Sequence, residues 1–165
     1  MSDAALTVAQ ALLAARHAGV DRLDAQILLS TALCQSRTWL LAHDQDALSP
    51  AAAATFQTWL ARRAQGEPLA YLLGDKEFFG LPLAVNPDVL IPRPDTEILV
   101  EWALELIPAD RVFRVLDLGT GSGAIALAIQ HQRPLAQVVA VDASEGALRT
   151  AQSNAQKLNL PVQFL

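Results

Sequence analysis

Several residue types are scarce in this sequence, and their scarcity excludes whole classes of site. Among the 165 residues there is one cysteine, Cys34, so an internal disulfide and a cysteine-based metal site are both excluded. Cys34 stands among leucines, where a buried and unreactive thiol is predicted. The three histidines, His17, His43 and His131, lie far apart and lack the spacing of metal ligands. No metal site is therefore predicted.

Basic residues and long apolar runs are also few. Lysine and arginine number 12 against 17 acidic residues, the net charge is -5, and the basic residues are scattered. Nucleic acid and anionic membranes bind mainly through clustered positive charge. No apolar run approaches the ~18 residues of a membrane-spanning helix. The opening stretch MSDAAL has no basic region ahead of an apolar run, so no signal peptide is predicted. We expect a cytoplasmic protein that contacts neither nucleic acid directly nor a membrane.

What the sequence does have, over its first seventy residues, is a series of helix signals. Helix-starting side chains that can accept a hydrogen bond from the first turn recur at Thr7, Asp21, Ser36 and Ser49. Thr7 with Gln10 predicts a capping box, and Gly19 and Gly66 predict helix ends. No cluster of polar residues recurs on a shared face. Residues 1–73 are therefore predicted to be a small helical bundle without chemistry of its own.

The pattern changes near residue 75. The stretch KEFFGLPLAVNPDVLI mixes aromatic and branched residues with glycine, proline and asparagine, which predicts a β-hairpin or two short strands. We assign residues 74–92 to a hairpin connector between two domains. A helix is predicted from about Asp95 to Leu106, ended by Pro108.

From residue 111 onward, strand and helix patterns alternate. RVLDLG, QVVAVD and VQFL have the character of short strands, and SGAIALAIQHQ and SEGALRTAQSNAQKLN that of helices. Such alternation predicts the opening half of a doubly wound, Rossmann-like parallel sheet. The fold class is therefore α/β, with a helical bundle, a hairpin connector and a partial sheet domain over residues 93–165.

A glycine-rich stretch, DLGTGSGA, lies between the first strand and helix of this sheet domain. Glycines there permit positive φ and let the backbone approach a ligand closely, and the following helix start presents free N–H groups. Asp142, at the end of the next strand, can accept both hydroxyls of an adenosine ribose. The pattern predicts a ligand that contains adenosine.

Spacing alone leaves two such ligands open. Gly119, Gly121 and Ala124 fit the G-x-G-x-x-A pattern of nicotinamide dinucleotide binding, so an NAD-dependent oxidoreductase remains an alternative. Asp117 would repel a pyrophosphate but attract the sulfonium and ammonium groups of S-adenosylmethionine. Gly123 completes a G-x-G-x-G pattern that also suits the methyl donor. We therefore favour S-adenosyl-L-methionine as the cofactor.

Three segments together resemble a known family. GEPLAYLLGDKEFFGLPLAVNPDVLIPRPDTEILVEWAL, then VLDLGTGSGAIALA, then VDAS…AL…A…NA are similar to the peptide chain release factor glutamine methyltransferases (HemK/PrmC). The match is close from residue 66 to about 157, and the helical part matches in character. The resemblance implies S-adenosylmethionine-dependent methylation of the glutamine side-chain amide in the Gly-Gly-Gln motif of peptide chain release factors.

The resemblance also implies roles for individual residues. The loop that holds the methionine part of the donor comprises Gly119, Thr120, Gly121, Ser122 and Gly123. Asp117 would stand beside this loop, Asp142 would bind the ribose, and the helical domain would help to dock the release factor. A wall of the pocket is expected from the IPRPDTE segment, with Arg93, Pro94, Asp95 and Glu97. The alternative for Arg93 is a purely structural ion pair with Glu97 or Asp95.

One part of the family pattern is missing from these 165 residues. The family's catalytic motif, Asn-Pro-Pro-Tyr, follows the fourth strand of the sheet and is expected beyond Leu165, because this sequence ends in the third strand. No catalytic residue is assigned, and we expect an N-terminal portion of such an enzyme, inactive alone, with an apolar sheet edge left open. A non-catalytic protein-docking fragment remains an alternative. A nucleic-acid amino-methyltransferase shares the motif, but the acidic charge disfavours it.

Overall fold

The computed structural model describes residues 6–165, and the chain divides into two compact units at Leu73 and Gly74. The stretch MSDAAL, on which the prediction about a signal peptide depends, lies outside the described residues except for Leu6. No helix within residues 6–165 combines the length and the apolar character needed to cross a membrane. The hairpin belongs to the second unit, and the three-part division drawn from the sequence stays a prediction.

Helices make up the first unit. They are α1 (Val8–His17), α2 (Arg22–Leu33), α3 (Arg37–Ala42), α4 (Pro50–Ala64) and α5 (Leu69–Leu73). The side chains of Thr7, Asp21, Ser36 and Ser49 each accept an N–H from the first turn, as predicted. Gln10 also accepts the N–H of Thr7, which completes the capping box. Local hydrogen bonding of short polar side chains therefore fixes where these helices begin.

The core of this unit forms where the helices cross. Its buried side chains include Val8, Ala11, Leu28, Leu29, Leu40, Phe56 and Leu72. Arg63 of α4 donates to Asp24 of α2 at 2.7 Å, so an ion pair joins these two helices beside the core. The five-residue helix α5 is too short to show periodicity in the sequence, and it begins after Pro68, whose carbonyl accepts from Tyr71 and Leu72.

The prediction for Cys34 is wrong, because its thiol is exposed. Cys34 follows the last residue of α2 and takes the left-handed conformation, with φ 53°. The helical periodicity that buries Leu28 and Leu29 no longer applies at that position. The leucines around Cys34 in the sequence therefore say nothing about its own burial.

The second unit begins with the predicted hairpin. Strand β1 (Asp75–Phe78) pairs antiparallel with β2 (Leu81–Ala84), and both turn residues, Phe79 and Gly80, have positive φ. Such a turn matches the twist of the flanking strands. Helix α6 (Asp95–Leu106) then occupies the predicted residues.

A parallel sheet with two helices completes the unit. The elements are β3 (Phe113–Leu118), α7 (Ala124–Gln132), β4 (Ala136–Val141), α8 (Glu145–Leu158) and β5 (Gln163–Phe164). The strands lie in the order β3-β4-β5, with Leu118 beside Val141 in register. The predicted class, a helical bundle, a hairpin and a partial doubly wound sheet, is confirmed.

The last strand lies within the stretch VQFL, where a third strand was predicted to begin. Strand β5 comprises Gln163 and Phe164, which pair with Val139 and Ala140 of β4. The N–H of Leu165 still donates to the carbonyl of Ala140 at 3.0 Å. Its side chain is exposed.

The two faces of this sheet differ. Ala136, Val138 and Ala140 of β4 are buried with α7 on one face. Alternation places Leu116 and Leu118 of β3 on the other face, where they are 59% and 73% exposed. Within the described part of the chain β3 pairs with β4 alone, so it is an edge strand of this three-stranded sheet.

Candidate functional site

The candidate site lies where β3 and β4 end. Parallel strands present their carboxyl ends at the same edge of a sheet, and ligands of doubly wound folds bind outside that edge. The segment from Gly119 to Gly123, here called the glycine loop, leads from β3 into α7. Asp117 lies in β3 just before this loop, and Asp142 directly follows β4. The fold thus brings the predicted loop and both predicted carboxylates to one edge.

Three glycines give the loop its shape, for two different reasons. Gly119, Gly121 and Gly123 have φ of 77°, 57° and 84°. No atom lies within 4 Å of the place a Cβ would take on Gly119 or Gly121, so only their conformation requires glycine. A Cβ on Gly123 would lie 3.0 Å from Leu127 and 3.2 Å from Ala151, so close packing of α7 on α8 requires glycine there as well.

Main-chain hydrogen bonds hold the loop over the end of β4. The N–H groups of Gly119 and Thr120 donate to the carbonyl of Val141 at 2.9 and 3.0 Å. The N–H of Gly121 donates to Oδ2 of Asp142 at 2.8 Å. The position of the loop therefore depends on β4 and on the carboxylate that follows it.

Asp142 is held ionised, with acceptor capacity to spare. The N–H of Ser144 donates to its Oδ1 at 2.9 Å, and the N–H of Gly121 to its Oδ2. These two bonds, with that from Ser144 the stronger influence, lower the pKa of Asp142 below its ordinary range. The N–H of Ala143 also lowers the pKa of Asp142. A carboxylate accepts about four hydrogen bonds in all, so Asp142 keeps capacity to accept a hydroxyl group.

Asp117 has one oxygen engaged within the loop. The hydroxyl of Thr120 donates to its Oδ2 at 2.7 Å, and the carboxylate is half-buried. Thr120 and Ser122 are 7% and 2% exposed, so their side chains offer little surface to a ligand. The second oxygen of Asp117 is the part of this group that can attract a cation. Thr120 and Ser122 are thus buried within the loop, and the second oxygen of Asp117 is the group left for a ligand.

Arg93 lies next to the glycine loop, although 26 positions of sequence separate it from Gly119. A cavity of about 120 Å³ is lined by residues that precede or begin α6 and by the loop. These residues are Leu90, Ile91, Pro92, Arg93, Thr96, Gly119, Thr120, Gly121, Ser122, Ala124 and Ile125. Arg93 is exposed and makes no ion pair with a carboxylate in residues 6–165. The alternative pairing with Asp95 or Glu97 is therefore not observed.

The other three residues proposed for the pocket wall do not line this cavity. Pro94 occupies the cap position of α6 rather than its first turn, and Asp95 is exposed at the start of the helix. Glu97 accepts the N–H of Phe79, in the hairpin turn, at 3.0 Å. Glu97 thus joins α6 to the hairpin, whereas Thr96, in the same helical turn, lines the cavity.

A residue that the sequence analysis missed lies beneath the loop. Asn154 of α8 is fully buried, and its side-chain amide donates to the carbonyl of Ser122 at 2.9 Å. One signal could have identified it. Asn154 falls on the helical stripe that includes Ala147, Ala151 and Ala155, so a polar residue stands on an otherwise apolar face. Buried amides need partners, and such a position therefore predicts one.

Two family models match this chain. Residues 4–74 match the model described as PrmC N-terminal domain. Residues 115–165 match the model described as Methyltransferase domain, and this range holds the glycine loop and both carboxylates. The match favours a methyl donor over the dinucleotide that the spacing of the glycines had left open.

Relatives of this chain share about half of its residues. It is 52% identical over 147 residues to the release factor glutamine methyltransferase of Bordetella pertussis, covering 89% of this chain and 54% of that protein. The protein of that description from Coxiella burnetii is 50% identical over 136 residues (82% and 49% covered). The one from Escherichia coli is 48% identical over 137 residues (83% and 49%). The chain spans about half the length of the curated relatives it matches.

Proposed function

The chain belongs to the family of release factor glutamine methyltransferases, and from this premise we propose that it carries the methyl-donor site of such an enzyme. The proposed donor is S-adenosyl-L-methionine, bound at the glycine loop between β3 and α7. When bound, this cofactor supplies a methyl group that its sulfonium makes reactive towards a nucleophile. The proposed acceptor is the side-chain amide nitrogen of the glutamine in a Gly-Gly-Gln motif of a release factor.

The observation that carries the proposal is the state of Asp142. Its carboxylate is fixed by N–H groups of Gly121 and Ser144 and keeps capacity to accept further hydrogen bonds. The neighbouring hydroxyls of a ribose can donate to such a carboxylate. Because the Gly121 bond also fixes the loop, ribose and loop share one anchor. The residues present therefore fit an adenosine ligand.

Charge supports the methyl donor over a dinucleotide. Asp117 has one oxygen engaged by Thr120, and the other can attract the ammonium or sulfonium group of S-adenosylmethionine. A pyrophosphate at the same place would meet two carboxylates. Arg93, which lines the cavity beside the loop, provides a positive charge for the carboxylate of the methionine part. The site thus offers complementary charge to each ionised group of the donor.

The acceptor half of the reaction makes other demands. An amide nitrogen is a poor nucleophile, so orientation and electrostatic stabilisation must supply most of the rate. No residue in 1–165 is assigned to that task, and the catalytic motif expected beyond Leu165 stays a prediction. The helical unit, with its exposed leucines Leu13, Leu23 and Leu41, is proposed to help dock the release factor. The proposal for this chain therefore concerns donor binding first and methyl transfer by the whole protein second.

Isothermal titration calorimetry tests the donor site. We expect S-adenosylmethionine and S-adenosylhomocysteine to bind, and Asp142→Ala to weaken binding by at least about 10- to 100-fold, because even one hydrogen bond to a charged group contributes about 1.5–3 kcal/mol. Asp110→Ala, which removes an exposed aspartate away from the loop, should leave the affinity unchanged. Tight binding of NAD without binding of the methyl donor would overturn the proposal.

Methyl transfer tests the acceptor. In the whole protein, labelled donor should transfer its methyl group to a release factor, and the control is a release factor with alanine in place of the Gly-Gly-Gln glutamine. Equal labelling of both release factors would contradict the proposed substrate but would not contradict the proposed donor site.

A further inference from the structure

Asn154 is the most deeply buried polar side chain near the glycine loop, with no exposed surface. Its Nδ2 donates to the carbonyl of Ser122 at 2.9 Å and to the carbonyl of Ala84 at 3.0 Å. Its Oδ1 accepts the N–H of Ala84 at 2.8 Å. Both amide hydrogens and the amide oxygen are therefore used, and all the partners are main-chain groups.

These bonds join three elements of the second unit. Ser122 belongs to the glycine loop, Ala84 ends β2, and Asn154 lies on α8. The bonds to Ala84 go both ways, so the side-chain amide pairs with the outer edge of β2 as a peptide group of a neighbouring strand would. A single amide thus holds the loop and the hairpin at a fixed separation.

The residues that follow β2 also contact α8. Asn86 donates to the hydroxyl of Thr150 at 3.0 Å, one helical turn before Asn154. A further turn back, a Cβ built on Gly146 would lie 2.7 Å from Cγ of Asp88, so only glycine leaves room for that side chain. The segment from Ala84 to Asp88 therefore runs along α8 and delivers the chain to Leu90–Arg93, which line the cavity beside the loop.

We propose that Asn154 is a positioning residue of the donor site, one that holds the glycine loop and the segment leading to Arg93 in a single arrangement. The inference rests on the proposed donor binding. Without the amide, the carbonyl of Ser122 and both main-chain groups of Ala84 would lose their partners. The loop and the Arg93 segment would then be free to move apart, and the donor would have to order them on binding.

Two substitutions and one matched control test this role in the full chain. Asn154→Ala removes all three bonds, and Asn154→Asp keeps the size but replaces the two donors with an oxygen that faces two carbonyls. The control is Gln130→Ala. Gln130 is also nearly fully buried (2% exposed), but it faces the carbonyls of Arg133 and Pro134 at the far end of α7.

The readout is the dissociation constant for S-adenosylhomocysteine, measured well below the melting temperature of each variant. All three substitutions should lower that temperature. Both Asn154 variants should also weaken binding about tenfold or more, whereas Gln130→Ala should change it less than about twofold. Lower melting temperatures with unchanged affinity for both Asn154 variants would make Asn154 a purely structural residue and overturn the inference. Failure of the unchanged chain to bind would overturn the proposed function as well.

If the variants do not fold, hydrogen exchange in the unchanged chain tests the proposed role of Asn154. Bound S-adenosylhomocysteine should slow exchange of the Ala84 amide, which donates to Asn154, several-fold more than that of Ile107, which donates to Ala103. Equal slowing at the two amides would show no link from the loop to β2 and would contradict the inference.

Discussion

The two units of this chain use their polar side chains in different ways. In the helical unit most side-chain hydrogen bonds are local. Thr7 and Gln10 are three positions apart, and Asp21 and Leu23 are two apart. The ion pair of Arg63 with Asp24, 39 positions apart, is a long-range contact of this unit. Polar groups there chiefly start and end helices.

In the second unit the bonds around the glycine loop span long stretches of sequence. Asn154 reaches Ser122 across 32 positions and Ala84 across 70, and Gly121 reaches Asp142 across 21. These bonds meet within the loop or directly beneath it. The difference is that distant polar contacts converge on the glycine loop, which is the proposed donor site, whereas the contacts that start the helices of the first unit are local.

The largest expected effect separates the stability of the helical unit from donor binding. Phe56→Ala removes a side chain that is 1% exposed in the core of that unit. It should lower the free energy of unfolding of the unit by about 3–5 kcal/mol, because the cavity adds to the lost transfer energy. Urea denaturation followed by circular dichroism measures this change. Donor affinity should stay the same below the transition, and a parallel loss of affinity would break the comparison.

A smaller effect on stability, with a larger one on binding, is expected within the glycine loop. Gly123→Ala should destabilise the second unit by about 2–4 kcal/mol, because left-handed strain is added to contacts with Leu127 and Ala151. Gly66→Ala is the matched control, since its φ of 93° is similar and nothing lies within 4 Å of its Cβ.

The control should lose only the strain, about 1–2 kcal/mol, and should leave donor affinity intact. Thermal unfolding and calorimetry on both variants provide the two readouts. If both glycine variants weakened donor binding equally, that result would contradict the proposed role of the glycine loop in donor binding.

The smallest expected effect is a pH dependence. The pKa of Asp142 is lowered in the folded state by the N–H groups of Ser144 and Gly121. Its ionised form therefore contributes stability above the pKa of the unfolded state, and this contribution is lost as pH falls through the folded-state pKa. Asp142→Asn should make the melting temperature of the second unit fall less steeply between about pH 5 and 3 than in the unchanged chain. An unchanged slope would mean that these bonds do not favour the ionised form.

Much of the fold could be predicted because its determinants are local. The helix starts at Ser36 and Ser49 depend on residues within three positions, and the class of the sheet follows from alternating strand and helix patterns. Helix α5 was missed because five residues show no period. Cys34 was wrongly placed inside because a left-handed residue ends the helix there. Each miss occurs where a local rule stops applying.

The candidate site was predictable in part, for the same reason. The glycine loop and Asp142 follow a known spacing, and the structure brings them together through the hydrogen bond to Gly121. The hydrogen-bond partners of Asn154 could not be predicted from the sequence, since Ser122 and Ala84 are close to it only in the folded chain. The hydrogen bond of Glu97 to the hairpin likewise depends on how α6 packs.

The most direct test of the donor site is a map of amide chemical shifts during titration of the isotope-labelled chain with S-adenosylmethionine. The account predicts that the largest shift changes fall on residues 117–123 and 142–144, with small changes in residues 6–73. An equal titration with NAD should leave these amides unmoved. Shift changes confined to the helical unit, or the same changes with both ligands, would contradict the account.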